Sequence, residues 1–106
     1  MAFNSETIEE TIREYVADVK EIMPIDRVVL FGSYAKGTAT EFSDVDLCFF
    51  SESFASKRSV DVVTNLLNIA GKYKNVCIEP RAFPTSEIEK NNPFIREVLA
   101  TGKEIT

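Results

Sequence analysis

Ile8, Ile12, Tyr15, Val19 and Ile22 follow one another at intervals of four, three, four and three, with charged and polar residues between them. Positions so spaced line one stripe of an α-helix, so the pattern predicts an amphipathic helix from about Thr7 to Met23. Thr7-Ile8-Glu9-Glu10 has the form of a capping box, its acidic residues complement the positive end of the helix dipole, and Pro24 stops the pattern.

The period then shortens. Arg27-Val28-Val29-Leu30-Phe31 is a β-branched and aromatic run ending at Gly32, which predicts a buried strand entering a tight turn. Gly32 to Phe42 is small or polar, and Asp44 to Phe50 predicts a second strand. In that strand Asp44, Asp46 and Cys48 share one face, and Val45, Leu47 and Phe49 take the other. From Ser56 to Ala70, Val60, Val63, Leu67 and Ala70 return at helical spacing, while Val62, Leu66 and Ile69 widen the apolar face. A well-buried helix capped by Gly71 is expected there.

Val76 to Glu79 predicts a third strand ended by Pro80, and Ser86-Glu87-Ile88-Glu89 repeats the capping-box pattern ahead of a short helical stretch. A last helix is expected from Pro93 to Ala100, closed by Gly102, with Phe94, Ile95, Val98 and Leu99 facing the core. Tyr73 and the lysines beside it read as a solvated loop. The order helix, strand, strand, helix, strand, helix, with no linker or repeat, implies α+β or α/β architecture in a single domain spanning residues 1–106.

Composition narrows the chemistry. The 106 residues are 44% apolar and 27% charged, enough for one thin core. There is no histidine, which removes the Ser-His-Asp triad, the Cys-His dyad and every His-liganded zinc site, so acid–base work falls to carboxylates, Lys or Tyr. Cys48 and Cys77 are too few for a four-thiolate zinc site and lie in apolar runs, as reduced core thiols do, with a disulfide as the lesser alternative. Met1 to Glu10 lacks a basic stretch followed by an apolar run, and no segment reaches 18 uninterrupted apolar residues, so neither secretion nor membrane spanning is expected and the cytoplasm is the expected location. A net charge of -5 disfavours general binding to nucleic-acid backbones or anionic membranes, while leaving room for a local site that holds a small phosphate ligand.

That site is written in Gly32-Ser33-Tyr34-Ala35-Lys36-Gly37, followed by Ser43-Asp44-Val45-Asp46-Leu47. Two carboxylates at i and i+2 on a strand project from one face, with Cα atoms about 6.6 Å apart at a rise of about 3.3 Å per residue. Alone they repel and one tends to hold a proton; a hard divalent ion such as Mg²⁺ stabilises both as anions and shares its remaining positions with water and phosphate. The Gly-Ser turn supplies backbone N–H groups and a hydroxyl for such a phosphate. Taken singly, each feature also has a plainer reading: an Asp pair at a solvated strand end, Lys36 as a loop charge, Ser43 closing a local turn, Glu79 paired with Arg81. Gly32 to Gly37 fits half of a P-loop, but Thr38 stands where that motif needs Lys.

Together, Gly32-Ser33, the spacer and Asp44-Val45-Asp46 resemble the signature of the DNA polymerase-β-like nucleotidyltransferase superfamily, especially its minimal single-domain members, over about residues 8 to 105. The resemblance implies an α+β fold with a small mixed sheet flanked by helices, and Mg²⁺-dependent transfer of a nucleoside monophosphate from an NTP, by family default ATP, to a hydroxyl of a protein or small molecule, with two metal ions when nucleotide is bound. It implies Asp44 and Asp46 as metal ligands and catalytic carboxylates, and Gly32, Ser33, Lys36 and Ser43 as nucleotide-binding residues. Tyr34 stands where relatives often carry a basic residue. A third catalytic, metal-binding carboxylate is expected on the next strand, where Glu79 is the candidate and an alternative register puts Cys77 in that place. Small relatives also act as antitoxins that neutralise a helical HEPN-type partner, so a binding module of that kind is the second expectation.

Overall fold

The computed structural model describes residues 5–40 and 42–105; Met1 to Asn4 of the N-terminal stretch, Glu41 of the polar loop and Thr106 lie outside the described residues. The elements run α1 (Ser5–Ile22), β1 (Arg27–Phe31), α2 (Ser33–Lys36), β2 (Val45–Phe50), a 3-10 turn (Glu52–Ser56), α3 (Ser59–Ala70), β3 (Ile78–Phe83), a second 3-10 segment (Thr85–Lys90), α4 (Pro93–Thr101) and β4 (Lys103–Ile105). The strands form one mixed sheet in the order β3-β2-β1-β4, with β1 antiparallel to both β2 and β4, and β2 parallel to β3. This is the α+β arrangement of a small mixed sheet flanked by helices that the resemblance implies.

Strand alternation divides the interior in two. Val28, Leu30, Val45, Leu47, Phe49 and Ile78 face α1 and α3, where Ile12, Tyr15, Val19, Val62 and Leu66 meet them. Val29, Cys48 and Phe50 point the other way and pack under Ile95 and Val98 of α4. The Tyr15 hydroxyl, inside the first core, donates to the Leu66 carbonyl at 2.9 Å and ties α1 to α3. Asn92 caps α4 by accepting from the N–H groups of Phe94 and Ile95, with Pro93 in the first turn where its missing N–H costs nothing.

Several expectations are corrected by tertiary contacts. α1 starts at Ser5, so Thr7 lies inside the first turn rather than at the cap, and its carbonyl accepts from the Thr11 hydroxyl at 3.0 Å. The stripe ends at Val19, because Ile22 is exposed and Met23 is buried in its place. α3 is not buried all round and starts only at Ser59: Val62, Leu66 and Ile69 face the core, whereas Val60 and Leu67 of the stripe first read are exposed. Tyr73 is not a solvated loop residue: its hydroxyl donates to Asp18, its ring meets Tyr15 edge-on at 6.0 Å, and Lys72 Nζ lies 3.0 Å from the same carboxylate. Cys48 is buried as expected, but Cys77 is exposed.

Pro80 does not end β3, which starts at Ile78 and runs on to Phe83. β3 is an edge strand, and the bonds Val45 N–H to Cys77 O (2.7 Å) and Ser51 N–H to Phe83 O (3.2 Å) fix its odd-numbered residues as those bonded to β2. Pro80 therefore turns its missing N–H to the free edge, where no ladder bond is lost and strand addition by another chain is discouraged. The short α2 and β4 were not expected from the sequence. Ile105 of β4 is buried beside Val28, and Arg27 pairs with Glu104 at 2.8 Å. Among the described residues, no helix is long and apolar enough to cross a membrane.

Candidate active site

The chemistry gathers where β1 ends, β2 begins and β3 passes alongside. Phe31, the last residue of β1, pairs with Asp46, and Gly32 follows with φ 76° and ψ -152°, a backbone region populated essentially by glycine alone. A Cβ at Gly32 would collide with the Asp46 carboxylate, so glycine at this position is what lets the carboxylate lie against the turn. Ser33 then opens α2, and Gly37 closes it in the left-handed conformation that glycine adopts without strain. Lys36 stands exposed in its last turn.

Asp44 precedes β2 by one residue and is exposed; Asp46 lies within the strand and is half-buried. The parallel register puts Glu79 level with Asp46, and the bond from Val45 N–H to the Cys77 carbonyl puts Cys77 beside Asp44. Glu79 and Cys77 thus share the face of the two aspartates, Glu79 next to the inner one and Cys77 next to the outer. That face is the one α4 covers farther along the sheet. Ser43 closes a local turn: its Oγ accepts from Thr40 N–H at 2.9 Å.

The charges act on one another. Burial raises the Asp46 carboxyl above its usual range, Asp44 adds to the rise, and a hydrogen bond from Glu79 and the positive Arg81 oppose it. Glu79 is raised chiefly by the negative charge of Asp44. The Cys77 thiol is raised by its hydrogen bond to Asp44, and burial with Asp44 raises the Tyr34 phenol. Arg81, read from the sequence only as an ion-pair partner for Glu79, stands two residues beyond Glu79 on the same face, a position that ending the third strand at Pro80 had hidden. Its guanidinium lies 5.1 Å from the centre of the Phe94 ring.

Among the described residues, no group of three or more His, Cys, Asp or Glu side chains forms a ready-made metal site. The donor set nevertheless suits Mg²⁺, which takes hard carboxylate oxygens, needs only one or two of them, and completes its shell with water and substrate phosphate. The negative charge of Asp44, which leads the rise at Glu79 and adds to that of burial at Asp46, is what a divalent cation would offset.

A mixed sheet with acidic residues on two adjacent parallel strands, beside a Gly-Ser turn, defines the class as nucleotidyltransferase-like. Residues 12–101 match the family described as nucleotidyltransferase domain, and the chain belongs to that family; it is a nucleotidyltransferase. Its relatives include three proteins of Methanocaldococcus jannaschii that carry the provisional name protein adenylyltransferase. One is 31% identical over 91% of this chain and 96% of its own length, and another 33% identical over 90% and 94%. The third is 35% identical over 74% of this chain but only 55% of its own, longer sequence. The fold matches the crystal structure of a provisionally assigned nucleotidyltransferase from Sulfolobus solfataricus with a TM-score of 0.63, at 18% identity, over 81% of this chain and 75% of that one.

Proposed function

We propose that this nucleotidyltransferase moves an adenylyl group from ATP, presented with Mg²⁺, to a hydroxyl of a protein acceptor. The observation that carries the reading is the row Gly32, Asp46, Glu79: the turn that follows β1 lies against Asp46 of β2, and Glu79 of β3 is level with Asp46 on its other side. Phosphoryl transfer needs the attacking and leaving oxygens on opposite sides of the phosphorus. The row supplies that polarity: the Gly32-Ser33 turn at one side for the pyrophosphate, Glu79 at the other for the acceptor. The names of the Methanocaldococcus relatives favour adenylyl as the group and protein as the acceptor.

Asp44, Asp46 and Glu79 would hold Mg²⁺, which when bound stabilises negative charge on the attacking and leaving oxygens. The chain's own residues do the rest. Gly32 and Ser33 bind the tail through backbone and hydroxyl, and Lys36, a flexible point charge, neutralises it. The acceptor oxygen forms its bond to the α-phosphorus while the bond from that phosphorus to the bridging oxygen breaks, and pyrophosphate leaves with the electron pair. The hydroxyl proton passes to the Glu79 carboxylate, which stands on the acceptor side of the row. Ser43 shapes the loop that delivers Asp44.

The test is a calorimetric titration of ATP with and without Mg²⁺ on the wild type and on a folded Asp44→Asn/Asp46→Asn variant, alongside transfer of label from the α-phosphate of ATP to protein. Saturable Mg²⁺-dependent binding lost in the variant, with label appearing on protein only with the wild type, is the expected outcome. Equal labelling by the variant would remove the two aspartates from the mechanism.

A further inference from the structure

A second recess adjoins this site. Between α2 and α4 lies a cavity of about 170 Å³ lined by Phe31, Gly32, Lys36, Phe94, Glu97 and Thr101, among others. It shares Gly32 and Lys36 with the turn just assigned to phosphate, and Phe31 stands directly across the ladder from Asp46. A ligand with its α-phosphate at Asp46 therefore has this recess within reach on the β1 side, opposite Glu79. At this size it is smaller than the roughly 300–1,000 Å³ sites that enclose a whole ligand, so it suits one ring system rather than a complete nucleotide.

The lining has two characters. Phe31 and Phe94 meet edge to face, ring centres 5.5 Å apart, and make an aromatic corner. Arg81 over the Phe94 ring, and Phe83 beside it with centres 5.9 Å apart, hold that corner in place. Along α4 the wall offers acceptors: the Glu97 carboxylate accepts only, and the Thr101 hydroxyl commits its proton to the Glu97 carbonyl at 2.8 Å, leaving its oxygen to accept. An aromatic corner beside hydrogen-bond acceptors fits a flat heteroaromatic ring that carries an amino group.

We infer that the cavity between α2 and α4 takes the nucleobase of the donor nucleotide, with Glu97 accepting a hydrogen bond from its exocyclic amino group. The inference rests on the reading of Gly32, Ser33 and Lys36 as the phosphate site, and the test separates the two. Binding of Mg²⁺-tripolyphosphate, Mg²⁺-ATP and the Mg²⁺ complex of purine riboside triphosphate, which is ATP without its amino group, is measured on the wild type and two variants. Glu97→Ala removes the acceptor from an exposed helix position, and Thr101→Phe fills the recess from another.

For the wild type, ATP is expected to bind about tenfold more tightly than purine riboside triphosphate, the contribution of one hydrogen bond to a charged group. Glu97→Ala should bring that ratio near one. Thr101→Phe should reduce ATP to the affinity of tripolyphosphate. Tripolyphosphate itself should bind all three proteins alike. Unchanged ATP affinity in both variants, with tripolyphosphate still bound, overturns the nucleobase site and leaves the phosphate site standing. Failure of the wild type to bind tripolyphosphate or ATP overturns both.

Discussion

At Gly32 a single missing side chain holds two functions together. Its dihedrals belong to a region that costs other residues on the order of 1–3 kcal/mol, and a methyl group there would also displace the Asp46 carboxylate. Gly32→Ala should therefore lower the melting temperature, by about 4–8 °C for each kcal/mol in a domain of this size, and abolish Mg²⁺-dependent ATP binding at the same time. Thermal unfolding and calorimetry on the same sample check both; a variant that melts and binds like wild type would sever the turn from the carboxylate. The glycine and the Asp44/Asp46 pair were legible in the sequence because each expresses a local rule, a turn after a strand and a period of two. The choice between Glu79 and Cys77 was not, because it depends on how β3 registers against β2, which no local pattern encodes. The position of Arg81 escaped for the related reason that Pro80 reads as a strand end unless the strand is known to lie at a sheet edge.

Periodicity located most of the elements but not the direction each one faces. α3 carries two adjacent apolar stripes, Val60-Val63-Leu67 and Val62-Leu66-Ile69, and either could have turned inward. Contact with α1 decides it, since the Tyr15 hydroxyl reaches the Leu66 carbonyl and Leu66 is fully buried while Leu67 remains 48% exposed. Leu66→Ala should accordingly cost about 2–5 kcal/mol, a large fraction of the stability of a small domain. Leu67→Ser should stay within about 0.5 kcal/mol of wild type. Urea denaturation of the pair checks the orientation, and equal losses would contradict it. β4 was invisible for a different reason: three residues, two of them charged, carry no strand pattern, and Lys103–Ile105 becomes a strand only because β1 offers it an edge. Ile105→Ala should nonetheless destabilise by about 2 kcal/mol or more, since that side chain is buried in the main core.

Across the whole molecule, the titrating groups define a stability plateau with two different edges. On the acid side, Asp18, Asp26 and Glu9 are lowered by hydrogen bonds to their carboxylate forms, so what they contribute is present above their ordinary values near 4 and is lost as pH falls through the lowered ones. Asp46 and Glu79 run the other way, disfavouring the fold when ionised and relaxing on acidification, which blunts that edge. The alkaline edge has no such offset among these groups. Tyr73 keeps the proton it donates to Asp18 and is pushed up from 10.0 to about 12; burial pushes the Cys48 thiol from 9.0 to about 12 and raises Tyr15 as well. A group held protonated by the fold contributes in full below its unfolded value, and that contribution is lost as pH rises through the folded one. Stability should thus begin to fall near pH 9, as Cys48 enters its window, and fall faster above pH 10, when the tyrosines enter theirs. Denaturant midpoints taken from pH 6 to pH 11 should be flat and then decline. Tyr73→Phe should start lower at pH 7, having lost the bond that fastens the turn after α3 to α1, and should decline less steeply above pH 10. A Tyr73→Phe curve parallel to wild type through that interval would mean that the bond to Asp18 does not hold the proton.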